Sequence, residues 1–193
     1  KTPDGGISKF WYDKLGRLVL SQNAKQATEN KYSYTLFDEL ARIKEVGQLT
    51  QNTPPTNNLT RDPQQLSNWL SNQAAEQITR TEYDKDYFDG SGILCPVQLC
   101  QQNLRNRVSY TALYATGTPG NATAGTQMAA TYFSYDIHGN VDTLLQDYGS
   151  SDSVSTQNPM NISGNRFKKM SYYYDLISGK VNSVAYQPNQ PDA

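Results

Sequence analysis

The sequence is poor in the residues that most often carry chemistry, with one histidine and two cysteines among 193 residues. A Ser-His-acid triad would have to use His138, and no Gly-x-Ser-x-Gly nucleophile motif accompanies it. His138 instead stands beside Gly139 at a predicted turn tip. The His-Glu-x-x-His and EF-hand ligand spacings are missing, as is a glycine-rich phosphate loop. Asp84, Asp86 and Asp89 are close enough together to hold Ca²⁺ weakly, but their loop lacks the spaced glutamate of a strong site. Cys95 and Cys100 have no His or further Cys partner to complete a four-ligand zinc site. Their separation is also not that of a redox pair. A local disulfide and two quiet thiols both fit them. No metal or other cofactor is expected, and no enzymatic activity.

Net charge is missing too. Lys+Arg 17 against Asp+Glu 18 leaves −1, so no long-range field gathers nucleic acid or an anionic membrane. Basic residues are scattered, and the cluster Arg166, Lys168 and Lys169 is too small for a polyanion site. Apolar runs are far shorter than a bilayer-spanning helix requires, so no membrane insertion is expected.

What the sequence has instead is tyrosine: 14 Tyr against 5 Phe and 2 Trp, in a chain only 36% apolar. Tyrosine buries a large ring while its hydroxyl stays wet, which suits thin sheets better than a thick dry core. One phrase recurs around it: an aromatic, an acid, a short gap, Gly or a small residue, a polar or basic residue, then an aliphatic one. It occurs as Tyr12-Asp13 with Gly16-Arg17-Leu18, and as Phe37-Asp38 with Ala41-Arg42-Ile43. It returns as Tyr135-Asp136 with Gly139-Asn140-Val141, and as Tyr174-Asp175 with Gly179-Lys180-Val181 after a gap one residue longer. Tyr83-Asp84 is a partial copy without the basic-aliphatic half.

Each copy predicts a β-hairpin. Aromatics alternate before the acid, as in Phe10-x-Tyr12, Tyr32-x-Tyr34, Phe133-x-Tyr135 and Tyr172-x-Tyr174, a period of two that places those rings on one face of a strand. Asp bonds its own downstream backbone and Gly supplies positive φ, so the segment between them is the turn. Aliphatics such as Leu18-Val19-Leu20 form the returning strand. A lone hairpin is marginal in water, so several must pair edge to edge. The fold class expected is mainly β: consecutive antiparallel hairpins forming a curved sheet or part of a β-shell.

The phrase Tyr12-Asp13-x-x-Gly16-Arg17-Leu18 resembles the YD repeat of RHS proteins, toxin-complex C components and teneurins, and Tyr135-Asp136-x-x-Gly139-Asn140-Val141 nearly matches it. The resemblance implies a fragment of a large secreted bacterial protein whose hairpins spiral into a hollow shell. In toxin members of the family the shell encloses a variable C-terminal polypeptide. The partners implied are the remainder of the same polypeptide, an enclosed toxin or cargo, or a secretion or surface complex. The location implied is secreted or bacterial cell surface. Toxin-type shells that cleave themselves carry an Asp-Pro-x-Gly-like signature, and here Asp62-Pro63 is followed by two glutamines, so self-cleavage is not assigned to this segment.

Three stretches interrupt the repeat within what reads as a single segment over 1–193. The polar, proline-containing stretch from Gln51 leads into Asp62-Pro63-Gln64-Gln65, an N-cap, first-turn proline and capping-box glutamine. Leu66, Trp69, Leu70, Ala74 and Ile78 follow at helical spacing. One amphipathic helix over about 63–77 is expected inside an insertion at 50–78, with Trp69 facing the core. Residues 116–125 and 149–165 are expected to be long loops. The leading functional expectation is a scaffold that encloses or presents a polypeptide. The alternative is a carbohydrate- or surface-partner-binding module using exposed aromatics.

Overall fold

The computed structural model describes residues 5–87, 99–122, 127–148 and 166–188. It is mainly β, with eleven antiparallel strands in one open sheet and three short helices. The strands are β1 Lys9–Tyr12, β2 Leu18–Gln22, β3 Lys31–Phe37, β4 Ile43–Thr50, β5 Ala75–Tyr83, β6 Val108–Thr118, β7 Asn121–Ala122, β8 Gln127–Tyr135, β9 Val141–Asp147, β10 Phe167–Tyr174 and β11 Val181–Tyr186. Their order is β1-β2-β3-β4-β5-β6-β8-β9-β10-β11, with β7 paired to β6. Neighbours in sequence are therefore neighbours in the sheet, whether the connection is a tight turn, as between β1 and β2, or a long one, as between β4 and β5. The chain divides into two compact units, Lys1–Arg80 with Tyr114–Thr126, and Thr81–Leu113 with Gln127–Ala193.

In the first unit the core gathers Trp11, Leu20, Tyr32, Leu49, Trp69 and Ile78. The rings meet edge to face, Trp11 to Tyr32 at 5.9 Å and Tyr32 to Trp69 at 5.5 Å, the geometry that places positive ring edges on negative faces. Trp69 is buried from the helix side, and its indole N–H donates to the Thr53 carbonyl at 2.9 Å. It belongs to α3, Pro63–Leu70, capped by Asp62, whose Oδ1 accepts from the Gln64 and Gln65 amides. The helix ends at Leu70, seven residues short of the expected end. Ser71 is extended and Asn72 lies in the left-handed region at φ 59, so the chain turns back there. Ile78 is buried from strand β5. Two further short helices form, the second of them within the polar stretch that begins at Gln51. α1, Ala24–Thr28, is held by an Asn23/Gln26 capping box, and α2, Asn57–Arg61, is capped by Thr56.

The expected long loop at 116–125 is also corrected in part. β6 runs to Thr118 and pairs with β7 through Gly117↔Ala122 and Thr118↔Asn121, leaving a tight turn at Pro119-Gly120. A Cβ on Gly117 would come within 2.7 Å of the Ala122 backbone, so glycine is what permits this pairing. The stretch 149–165 lies outside the described residues.

The second unit packs Tyr87, Tyr110 and Tyr132 on one another at 4.9 to 5.5 Å. In β8 the residues Ala130, Tyr132 and Ser134 are buried and their neighbours are not, the period of two expected of a half-buried strand. The four aromatic pairs do not all share one environment. Phe10 and Tyr12 are exposed, whereas Tyr32 and Tyr34 are buried. Their distances from the following acid differ by an odd number of residues, and in a strand that is the opposite face.

Candidate functional site

The recurring residues build one turn, repeated. In the first copy the Asp13 amide donates to the Arg17 carbonyl at 2.9 Å and the Gly16 amide to the Asp13 carbonyl at 3.1 Å. The Asp13 carboxylate reaches inward: Oδ1 accepts from the Leu15 and Arg17 amides at 2.8 and 2.9 Å, and Oδ2 from Arg17 Nε at 2.7 Å. Asp38 repeats this with Leu40, Ala41 and Arg42. Asp136 repeats it with His138, Gly139 and Asn140, the Asn140 amide group replacing the guanidinium. Asp175, with its longer gap, accepts from the Ile177 and Ser178 amides, and its own amide donates to Lys180. The residue before the basic or polar position has positive φ in all four: Gly16 at 77°, Ala41 at 63°, Gly139 at 96° and Gly179 at 67°.

A β-bulge accompanies each turn at the same place. Tyr12 pairs with Leu18 but Trp11 with Leu20, and the skip recurs at Leu36/Phe37, Ser134/Tyr135 and Tyr173/Tyr174. Bulges kink a strand locally and raise its twist, so the turns impose a repeated bend as well as a reversal.

The partial copy at Tyr83-Asp84 has its missing half. The Asp84 amide donates to the Arg107 carbonyl at 3.1 Å, and the Asn106 amide to Asp84 Oδ1. Asn106-Arg107-Val108 thus stands where Gly-Arg-Leu stands in the first copy, with Asn106 at φ 58. Asn106 comes 22 residues after Asp84. The signal was legible only as an Asn-Arg-Val triplet, because Asn is the residue besides glycine that tolerates the left-handed region. The buried Gln101 side chain anchors the intervening chain. It donates to the Ser109 and Phe133 carbonyls and accepts from the Tyr87 amide.

Successive turns are also joined to each other. Arg17 lies over the Phe37 ring at 4.5 Å, and Arg107 over the Tyr135 ring at 5.3 Å. The Tyr135 hydroxyl donates to the Val108 carbonyl at 2.9 Å, and the Tyr174 hydroxyl donates to the Val141 carbonyl at 2.9 Å. In both cases the motif tyrosine of one turn is tied to the motif aliphatic of the turn before.

The acids are saturated rather than poised for proton transfer. Burial pushes the Asp13 and Asp38 carboxyls up, but hydrogen bonds from Arg17 and Arg42 outweigh it and leave both below the usual carboxylate value. Asp136 is lowered by the Asn140 side chain and nearby amides, and Asp175 by the Ser178 amide and hydroxyl. Each unit also buries a carboxylate paired with arginine. Glu45 accepts from the Tyr34 hydroxyl at 2.8 Å, the Gly120 amide at 2.7 Å and Arg80 at 2.8 Å. Asp147 accepts from Arg166 through both oxygens, and from Gln127 at 3.1 Å. Burial is the main cause that drives the Tyr34 and Tyr132 hydroxyls far above their usual range, so both stay protonated donors.

His138 is exposed, with its Nδ1 3.9 Å from Asp136 Oδ2. Cys100 is disulfide-bonded, while Cys95 lies outside the described residues. Asp89 lies outside them as well, and among the described residues no three His, Cys, Asp or Glu side chains gather to hold a metal. No described helix is long and apolar enough to cross a membrane. The chain matches no protein-family model, and no curated protein is significantly similar to it.

Proposed function

We propose that this chain is a wall segment of a large secreted YD-repeat protein, a scaffold that encloses or presents another polypeptide. The observation that carries this reading is the turn-to-turn linkage: a motif tyrosine hydroxyl on the preceding motif carbonyl, at Tyr135–Val108 and at Tyr174–Val141. Such a linkage lets identical units add one after another, as in other repeat proteins whose units stack on their neighbours. The outermost strand β11 leaves Val181, Val184 and Tyr186 about half exposed, which suits a sheet continued by further hairpins. The acids, engaged in turns and buried ion pairs, act by holding the wall rather than by catalysis. The function is then exclusion, with a closed shell keeping its contents from outside proteases and partners.

The partners under this reading are the rest of the same polypeptide and an enclosed C-terminal toxin or cargo segment, at a secreted or bacterial-surface location. Limited proteolysis of the full-length parent protein tests it. The C-terminal segment should survive added protease in the intact protein and be digested when expressed alone. Equal digestion in the two settings would remove the enclosure reading.

A second reading, recognition of carbohydrate or a surface partner, draws on Phe10 and Tyr12, both about half exposed on β1. Exposed rings stack well on sugar faces. A glycan array probed with the whole chain and with an F10A/Y12A variant decides it: binding lost in the variant supports this reading, and no binding by either discards it.

A further inference from the structure

The first unit contains a cavity of about 560 Å³, within the range that small-molecule sites occupy. Its wall is formed by Leu36 and Phe37 of β3 and by Leu66 and Leu70 of α3, and the turn at Pro119-Gly120 lies along it. Leu36, Phe37 and Leu66 pack against the core yet remain only partly buried, so apolar surface is left facing this space. The lining carries three cations, Lys14, Arg17 and Arg61, against one carboxylate. That carboxylate, Asp13, is held by Arg17 at 2.7 Å. Lys14 stands near Asp62, whose carboxyl it helps to keep low after the larger effect of the Gln65 amide. Arg61, the last residue of α2, is exposed and has no ion pair among the described residues.

We propose that this cavity binds a small organic acid, its apolar or aromatic body between Leu36, Phe37 and Leu66 and its carboxylate or sulfonate on Arg61. The guanidinium fork can engage two oxygens of either anion at once, which a lysine ammonium does not do. A compact molecule fits better than an extended peptide. A volume of about 560 Å³ holds a compact ring system, and the wall presents the side chains of Leu36, Phe37 and Leu66 to it. This site is independent of the scaffold reading, and nothing in that reading requires it.

The test is fluorescence titration of the whole chain with 1-anilinonaphthalene-8-sulfonate and with its uncharged relative N-phenyl-1-naphthylamine. The sulfonate should bind at one saturable site. Arg61→Gln should weaken it about tenfold while leaving the uncharged dye unchanged. Ser67→Trp, which fills the cavity from α3, should abolish both. As a check that needs no variant, 1-naphthoate should displace the bound sulfonate and 1-naphthalenemethanol should not. Equal displacement by the alcohol, or an unaltered Arg61→Gln titration, would overturn the assignment to an acid. A folded Ser67→Trp protein that binds as before would overturn the cavity. Displacement by an acidic amphipathic peptide but by neither naphthalene compound would make the occupant a polypeptide and defeat the proposal.

Discussion

The Tyr135 hydroxyl sits 2.9 Å from the Val108 carbonyl, joining the first aromatic of one turn to the last aliphatic of the turn before it. Tyr174 makes the same bond to Val141. Removing either hydroxyl should therefore cost about 1 kcal/mol, the usual worth of one partly buried hydrogen bond. Tyr135→Phe and Tyr174→Phe should each lower the urea midpoint by a corresponding amount. Phe37 occupies the equivalent position without a hydroxyl, so Phe37→Tyr should raise it by up to about 1 kcal/mol if its new hydroxyl finds the Leu18 carbonyl.

Ala41 supplies a contrasting case. It stands at φ 63 where the other three complete copies have glycine. A left-handed conformation costs an L-residue with a Cβ about 1–2 kcal/mol, and the extra freedom of glycine in the unfolded chain returns part of that. Ala41→Gly should stabilise by about 0.5–1 kcal/mol in thermal or urea unfolding. The reverse change at Gly139 should be more damaging than at Gly16. A Cβ on Gly139 would come within 2.6 Å of the Arg107 guanidinium, whereas one on Gly16 meets nothing within 4 Å.

Glu45 is fully buried and holds Tyr34, Arg80 and the Gly120 amide together. Glu45→Ala would take from the Arg80 guanidinium its buried carboxylate and from the Gly120 amide its acceptor. The expected loss is about 3–5 kcal/mol, the range for breaking a buried ion pair from one side. Hydrogen exchange at Gly120 should accelerate in the same variant. A loss under about 1 kcal/mol would mean that Glu45 is not the anchor of this turn.

Acid should undo the turns before it undoes the aliphatic core. The carboxyls of Asp13, Asp38, Asp136 and Asp175 lie below their ordinary value of 3.8 in the folded chain. As pH falls, the unfolded chain takes up protons first. The stability these groups confer is thus complete above the ordinary carboxylate range and is lost as pH drops through the lowered folded values. Urea midpoints should be flat from about pH 5 to 7 and fall below about pH 4. Constancy down to about pH 2 would contradict this.

The hairpins were legible because the turn needs two chemical features at fixed spacing, an acid that accepts local amides and a residue that tolerates positive φ. Tyr12-Asp13 with Gly16-Arg17 declares both. The bulge beside each turn has no side-chain signature, so the exact pairing of Trp11 with Leu20 was not legible. The helix end was misread because Ala74 and Ile78 keep the helical spacing by coincidence. Only Ser71-Asn72 marked the break, and neither residue forbids a helix. Asn106-Arg107-Val108 was missed because the second half of a turn was sought close to its first half. The buried pairs Glu45–Arg80 and Asp147–Arg166 join residues far apart in sequence, and no local pattern announces them.

The most direct test of the repeated, acid-clamped turn is a carbon-detected NMR titration of the aspartate side chains in the folded chain. Asp13, Asp38, Asp136 and Asp175 should all titrate below the ordinary aspartate value, and the amides of Leu15, Leu40, His138 and Ile177 should shift with them. Any of the four titrating at or above the ordinary value, with its paired amide unmoved, would contradict the account of these turns as copies of one structural unit.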